Sequence, residues 1–331
     1  MHALGLALMP HFSPNTTGSS LDRGRNILYA SGMRTSALPI ALLLAAVASA
    51  QQKRMVIIDQ DAAGPGGTDM MSILVLLQSP VVDPLGITVV TGDGWRDEEV
   101  AHTLRLLEWV DRTDIPVVPG AAFPLVRTQK STKIWVQEFG KVTYQGAWSR
   151  GDSRHGPFEI PALKEGNPKI KPLDEDAAHF LVRMVRKYPH QVTIYAGGPM
   201  TNLALAISLD PQFAELTGGL VFMGGSLNPR TNDPEYADDP RHEFNLWFDP
   251  EAAHIVLRAH WPSIVCTTVD VSVKTQLTRA MFEAIAKSSG PLGNTSLNSP
   301  LQTAAISGTN WQPPHGSIPA SSPGNASSIW T

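Results

Sequence analysis

Between residues 54 and 287, short β-branched runs alternate with stretches whose apolar residues recur every three to four positions. Few folds accommodate that alternation. Parallel strands need long crossovers, and an amphipathic helix is the usual one, buried against the sheet through its apolar stripe. The strand runs are Met55–Ile58, Gly86–Val90, Ile115–Val118, Val192–Tyr195, Leu220–Met223 and Ile264–Thr267. Helical spacing covers Met70–Leu77, Glu98–Val110 and Asp174–Tyr188, and a further helix runs from Pro250 to about Ala259 with Asp249 as its N-cap. The expected fold class is α/β: an open, mostly parallel sheet with helices on both faces and a Rossmann-like core. Residues 127–172, with scattered Trp, Gly and Pro, are expected to form an insertion over one end of the sheet.

The two ends of the chain differ from this body. Residues 33–50 run from Met-Arg through an unbroken apolar stretch, Ala37 to Ala50, to a terminal Ala48-Ser49-Ala50, the pattern of a signal peptide cleaved after Ala50. The apolar stretch is shorter than the roughly 20 residues that span a bilayer. The expected location is therefore secreted or periplasmic, with no membrane segment in the mature form. Residues 1–32 precede a second plausible start at Met33 and read as an over-extended N-terminus. At the far end, residues 288–331 contain no charged side chain and are rich in Ser, Gly, Pro, Asn and Thr, a composition expected to stay disordered. The domain itself is placed at 51–287.

In a parallel α/β sheet, ligands bind outside the carboxyl ends of the strands, so the residues that follow each run are the informative ones. The first strand leads into Asp59-Gln60-Asp61, a glycine-rich turn and then Asp69. Acids gathered at one strand end repel one another. They are either solvated turn and cap residues or ligands that a hard divalent cation keeps ionised. Three together favour the cation. A phosphate loop is excluded, because no Gly-Lys-Ser/Thr follows the glycines. The second strand is followed by Gly92-Asp93-Gly94, the fourth by Gly197-Gly198-Pro199-Met200-Thr201-Asn202, whose bare turn can present carbonyls, and the fifth by Gly224-Gly225. Glu243 and Asn245 are expected to alternate along an extended segment and face one pocket able to bind a polyhydroxylated ligand.

Charge narrows the partners. With a formal net charge of -4, and a more acidic body once residues 1–50 are set aside, the chain lacks the clustered basic surface that nucleic acid needs. One cysteine, Cys266, excludes an intrachain disulfide and a thiolate zinc cluster, and its apolar context predicts a buried, inert thiol.

Taken jointly, the Asp-x-Asp strand end, Gly-Pro-Met-Thr-Asn, Met223-Gly224-Gly225 and Glu243-Phe244-Asn245 followed by Asp249-Pro250-Glu251-Ala252-Ala253 resemble the inosine/uridine-preferring nucleoside hydrolases over residues 54–287. The resemblance implies calcium-dependent hydrolysis of the N-glycosidic bond of a small nucleoside or related glycoside. It assigns Asp61 as general base, Asp59, Asp61, Asp69 and the Gly197 carbonyl to calcium, and Met223, Glu243 and Asn245 to the ribose. Asp93 stands where the family has Asn and is expected to contact substrate. Dimers or tetramers are implied as well. Thr68 occupies the place of an acid that holds the 2′-hydroxyl, so sugar affinity or identity is expected to differ. The family's C-terminal His-Asp pair falls where this chain has its uncharged tail, whose one histidine is His315, so impaired activity is expected. Two other readings stand beside it: a non-catalytic protein that binds sugar or nucleoside, and a truncated or frameshifted homologue.

Overall fold

The computed structural model describes residues 53–64, 67–148, 155–232 and 242–274, together with the single positions 236, 284 and 287. The expected signal peptide, the segment before it and the uncharged tail lie outside the described residues. Among the described residues no helix is long and apolar enough to cross a membrane.

Six strands form one all-parallel sheet: β1 (Arg54–Gln60), β2 (Val82–Val89), β3 (Val117–Pro119), β4 (Val192–Ala196), β5 (Gly219–Met223) and β6 (Ile264–Thr267). Their spatial order is β3-β2-β1-β4-β5-β6. The helices are α1 (Thr68–Gln78), α2 (Arg96–Trp109), α3 (Gln129–Phe139), α4 (Ala177–Lys187), α5 (Thr201–Leu209), α6 (Phe244–Phe248), α7 (Pro250–Arg258) and α8 (Val269–Ser272). From β1 the chain steps outward through β2 and β3, then returns to β1 and steps the other way through β4, β5 and β6. The order reverses between β1 and β4, and a crevice opens at the carboxyl ends of those two strands.

Side chains alternate across the sheet, so β1 feeds two cores. Ile57, Ile194, Leu220 and Phe222 cluster with Phe180 and Leu181 of α4, Leu203 of α5 and Val256 of α7. Val56, Ile58, Ile87 and Val89 cluster with Ile73 and Leu74 of α1 and Leu104 and Leu107 of α2 on the other face. Burial on both faces explains why the strand runs are continuously apolar. In β2 the pairing to β1 shifts register between Val56 and Ile57, opposite Pro84 and Gly86. A proline cannot donate to the ladder, so the strand bulges there, and it begins at Val82, earlier than its apolar run suggests.

Two expectations are corrected here. Cys266 is exposed rather than buried. It lies on β6, an edge strand among the described residues, whose Ile264 and Val265 are also exposed, and its thiol donates to the Gly224 carbonyl at 3.3 Å. The segment after Glu243 is not extended. Glu243 caps α6, and its carboxylate accepts from the backbone N–H of Asn245 and Leu246. A carboxylate followed by free N–H groups stabilises a helix start and outweighs the alternation seen in the sequence. By contrast, Asp249 caps α7 and Pro250 sits in its first turn, as expected.

Gly86 lets α4 approach the sheet, because a Cβ there would lie 2.6 Å from Phe180 Cζ. We expect Gly86→Ala to lower stability by about 1–3 kcal/mol, read as a lower denaturant midpoint with an unchanged slope.

Candidate active site

Asp59 and Asp61 leave the carboxyl end of β1 in the middle of the sheet, beside the crevice, and both are buried. Around them the loops after β2 and β4 close in. A Cβ at Gly92 would lie 2.0 Å from Asp61 Oδ2, and one at Gly198 would lie 2.7 Å from Asp61 Oδ1. Only glycine backbone fits on either side of that carboxylate, which gives those turns their composition. Asp61 Oδ2 accepts from the Asp93 N–H at 3.1 Å, and the Asp61 N–H donates to Gln60 Oε1 at 3.2 Å. Gln60 continues outward, its amide donating to Ser72 Oγ at 2.9 Å and to Asp69 Oδ1 at 3.4 Å. Asp69 is held in the first turn of α1 and is buried.

The carboxylates act on one another. Burial raises Asp61 well above the usual carboxylate range, and the charges of Asp93 and Asp59 add to it. Burial likewise raises Asp69, followed by the charges of Asp93 and Asp61. Asp59 is pushed up to about 6 by burial, against the pull of hydrogen bonds from Asn202 and Thr88. Those bonds measure 2.8 Å and 2.5 Å and both end on Asp59 Oδ1, whereas Oδ2 is buried without a partner.

Such a donor set, hard oxygens with excess negative charge and one orphaned carboxylate oxygen, fits a hard divalent cation. Among the described residues no group of three or more His, Cys, Asp and Glu side chains makes a metal site by itself. A cation here therefore draws the rest of its shell from other oxygens. The Gly197 carbonyl is one such oxygen. It already accepts from Asn245 Nδ2 at 2.8 Å, and a carbonyl has a second lone pair.

The expected sugar-binding residues are adjacent. Asn245 Nδ2 also bonds the Met223 carbonyl at 3.2 Å and the Met223 thioether at 3.3 Å, joining the ends of β4 and β5. Glu243 is buried and its two oxygens take the N–H groups of Gly225, Asn245 and Leu246. Thr68, at the start of α1, is buried with no partner for its hydroxyl.

Two participants lie outside the expected set. Asn202 bridges the site, its Nδ2 on Asp59 and its Oδ1 accepting from the Ala121 N–H at 2.8 Å. The Gly-Pro-Met-Thr-Asn turn contained that signal. Tyr144 donates its hydroxyl to Asp93 Oδ1 at 2.7 Å. It comes from the insertion, where no spacing pointed to it. The insertion contains α3, opened by a Thr128–Ser131 capping box, and a short 3-10 turn, Gly146–Trp148, in which the Ala147 N–H bonds the Gly92 carbonyl at 2.8 Å.

A second polar cluster ties the insertion to α2. Buried His102 pairs through Nδ1 with Glu165, while its Nε2 lies 3.8 Å from Glu98. His155 Nε2 reaches Glu98 at 3.4 Å, and Arg105 Nε donates to the Glu165 carbonyl at 3.1 Å. Burial opposes the charge of His102, but hydrogen bonds and charge from Glu165 and Glu98 outweigh it and raise the pKa above 6.5. Burial similarly opposes Glu165, whose bond to His102 lowers it below 4.5. The histidine's contribution is full below 6.5 and is lost as pH rises through its raised value. That of Glu165 is full above 4.5 and is lost as pH falls through its lowered one. His102→Gln should therefore cost about 1.5–3 kcal/mol at about pH 5.5 and less at about pH 9, measured by chemical denaturation.

Comparison with known proteins identifies the family. A family model described as inosine-uridine preferring nucleoside hydrolase matches residues 56–315. That match runs past Lys287 into the uncharged tail, further than the sequence motifs alone carry it. An uncharacterized protein of Schizosaccharomyces pombe is 31% identical over 283 residues, covering 84% of this chain and 69% of its own length. "Probable uridine nucleosidase 2" of Arabidopsis thaliana is 33% identical over 240 residues, 72% of this chain and 66% of its own length. The chain thus spans about two thirds of these relatives. A solved plant nucleoside hydrolase, PpNRh1, superposes with a TM-score of 0.55 at 28% identity, covering 73% of this chain and 70% of that one.

Proposed function

The chain belongs to the inosine-uridine preferring nucleoside hydrolase family, and from that premise we propose that it hydrolyses the N-glycosidic bond of ribonucleosides, with Asp61 as the general base. The observation that carries this reading is the placement of Asp61. Its carboxylate is buried at the switch point of the sheet, gripped between Gly92 and Gly198. A calcium ion held by Asp59, Asp61, Asp69 and the Gly197 carbonyl would supply a polarised water and a charge that keeps the acids ionised.

The chain's own residues account for the rest. Asp61, fixed between two glycine turns and held by the Asp93 N–H, is positioned to accept a proton. Asp61 removes a proton from the attacking water as the new bond to the anomeric carbon forms. The bond from that carbon to the base nitrogen breaks, and the electron pair leaves with the base. Positive charge develops on the sugar because this cleavage runs ahead of the attack, and the surrounding carboxylates of Asp59, Asp69 and Asp93 stabilise it. Asn245 and Met223, fixed to each other and to Gly197, form the wall against which the ribose is held. Asn202 keeps Asp59 in register with the loop after β3.

Asp61→Asn should reduce kcat/KM by about 10²–10⁴-fold on whichever nucleoside the wild type cleaves, followed as release of free base. Retained turnover in that variant rules Asp61 out as the base. Dialysis against a calcium chelator should abolish turnover and calcium should restore it. In the same assay Gly198→Ala should behave like a partial Asp61 variant, because its Cβ displaces that carboxylate.

A further inference from the structure

Gln60 breaks the apolar period of its strand. Side chains alternate across the sheet, and Val56 and Ile58 of β1 pack in the core on the face that carries α1. Gln60 is the next residue on that face, and it is 1% exposed. The period asks for another Val or Ile there, and a buried amide is costly unless its polar atoms are bonded. They are bonded, and to residues of the candidate cation site. Oε1 accepts from the Asp61 N–H at 3.2 Å, and Nε2 donates to Ser72 Oγ at 2.9 Å and to Asp69 Oδ1 at 3.4 Å.

The surroundings are shaped to that amide. A Cβ at Gly197 would fall inside it, so the glycine that follows β4 makes room for Gln60. Gly197 is held on its other sides as well. Its N–H donates to the Asp59 carbonyl at 2.9 Å, and its own carbonyl accepts from Asn245. Across the amide, Ser72 is fixed in α1. Its hydroxyl donates to the Asp69 carbonyl at 2.8 Å and is hydrogen-bonded to the phenol of Tyr195. One side chain therefore touches the end of β1, the start of α1 and the turn after β4. None of the three can shift past the others without breaking one of its contacts.

On the reading that a calcium ion occupies this site, we propose that Gln60 is a positioning residue for it. The amide sets the spacing of the Asp61, Asp69 and Gly197 oxygens, and so decides how tightly the ion is held. In this role it supplies no ligand of its own. Its two ends match their neighbours, because a carboxylate needs a donor and a backbone N–H needs an acceptor. Bonds of this outer kind orient ligating carboxylates, and losing one weakens metal affinity about 10- to 100-fold. A site whose oxygens are already fixed also loses less freedom when the ion arrives.

The test uses the full chain, as wild type and as two variants, with folding checked by circular dichroism. Gln60→Met fills the same space without donor or acceptor, and Ser72→Ala removes one anchor of the amide. Calcium binding is measured directly by isothermal titration calorimetry on protein stripped with a chelator. Gln60→Met should raise the calcium Kd about 10- to 100-fold and Ser72→Ala about fivefold. Turnover that the variants lose at limiting calcium should return as calcium is raised. A purely structural role would lower the denaturant midpoint of the calcium-free chain and leave the Kd alone. Where Gln60→Met fails to fold, Ser72→Ala decides by itself, and if the wild type cleaves no nucleoside the Kd decides without turnover. A Kd unchanged within about twofold in the folded variants overturns the proposal alone, as does turnover that excess calcium fails to restore. If the wild type binds no calcium, the cation reading fails and the proposal falls with it.

Discussion

Carboxylates that repel one another are costly to bury, and the structure is organised around doing so at the end of β1. Asp59, Asp61 and Asp69 are all raised in proton affinity first by burial and then, for the latter two, by the charge of Asp93, with Asp59 adding to the rise of Asp61 and Asp61 to that of Asp69. That arrangement depends on β1 lying between β2 and β4 with all three strands parallel, so that three carboxyl-end loops converge on one point. The glycines on either side of Asp61 follow from it, because a side chain at Gly92 or Gly198 would occupy the space of its carboxylate. So does the bridging role of Asn202, which links the deepest acid to the loop after β3. A cation at this position would relieve the repulsion and supply chemistry with the same ligands.

The insertion between β3 and α4 has become part of the site. Its 3-10 turn binds the Gly92 carbonyl and its Tyr144 reaches Asp93, so two of its contacts fall on the loop that grips Asp61. The aromatic cluster of Trp95, Trp148, Phe244 and Phe248 joins the insertion to α2 and to the segment carrying Asn245.

Which parts could be read in advance follows from the range of the interactions involved. The strands and the helices α1, α2, α4 and α7 were legible because burial on both faces of the sheet and on one face of each helix leaves a periodic apolar record. Asp61 and Asp69 were legible because they lie beside a strand end and a helix start. Cys266 was misjudged because apolar neighbours in sequence do not reveal an edge position in the sheet. Glu243 to Asn245 was misjudged because alternation over three residues is weaker than a cap that satisfies three backbone N–H groups, one of them on Gly225, a distant loop.

By itself the sequence determined the sheet type, the strand end at which the acids collect and the family resemblance, since each is written in local spacing or contiguous motifs. Tertiary structure alone decided that Tyr144 and Asn202 meet the same site, as their contacts join residues that are 51 and 143 positions apart. It also decided that Glu243 turns its charge onto backbone. Contacts closed by chain crossover leave no period in the sequence, because the partner of each residue is chosen by the packing of whole elements rather than by its neighbours.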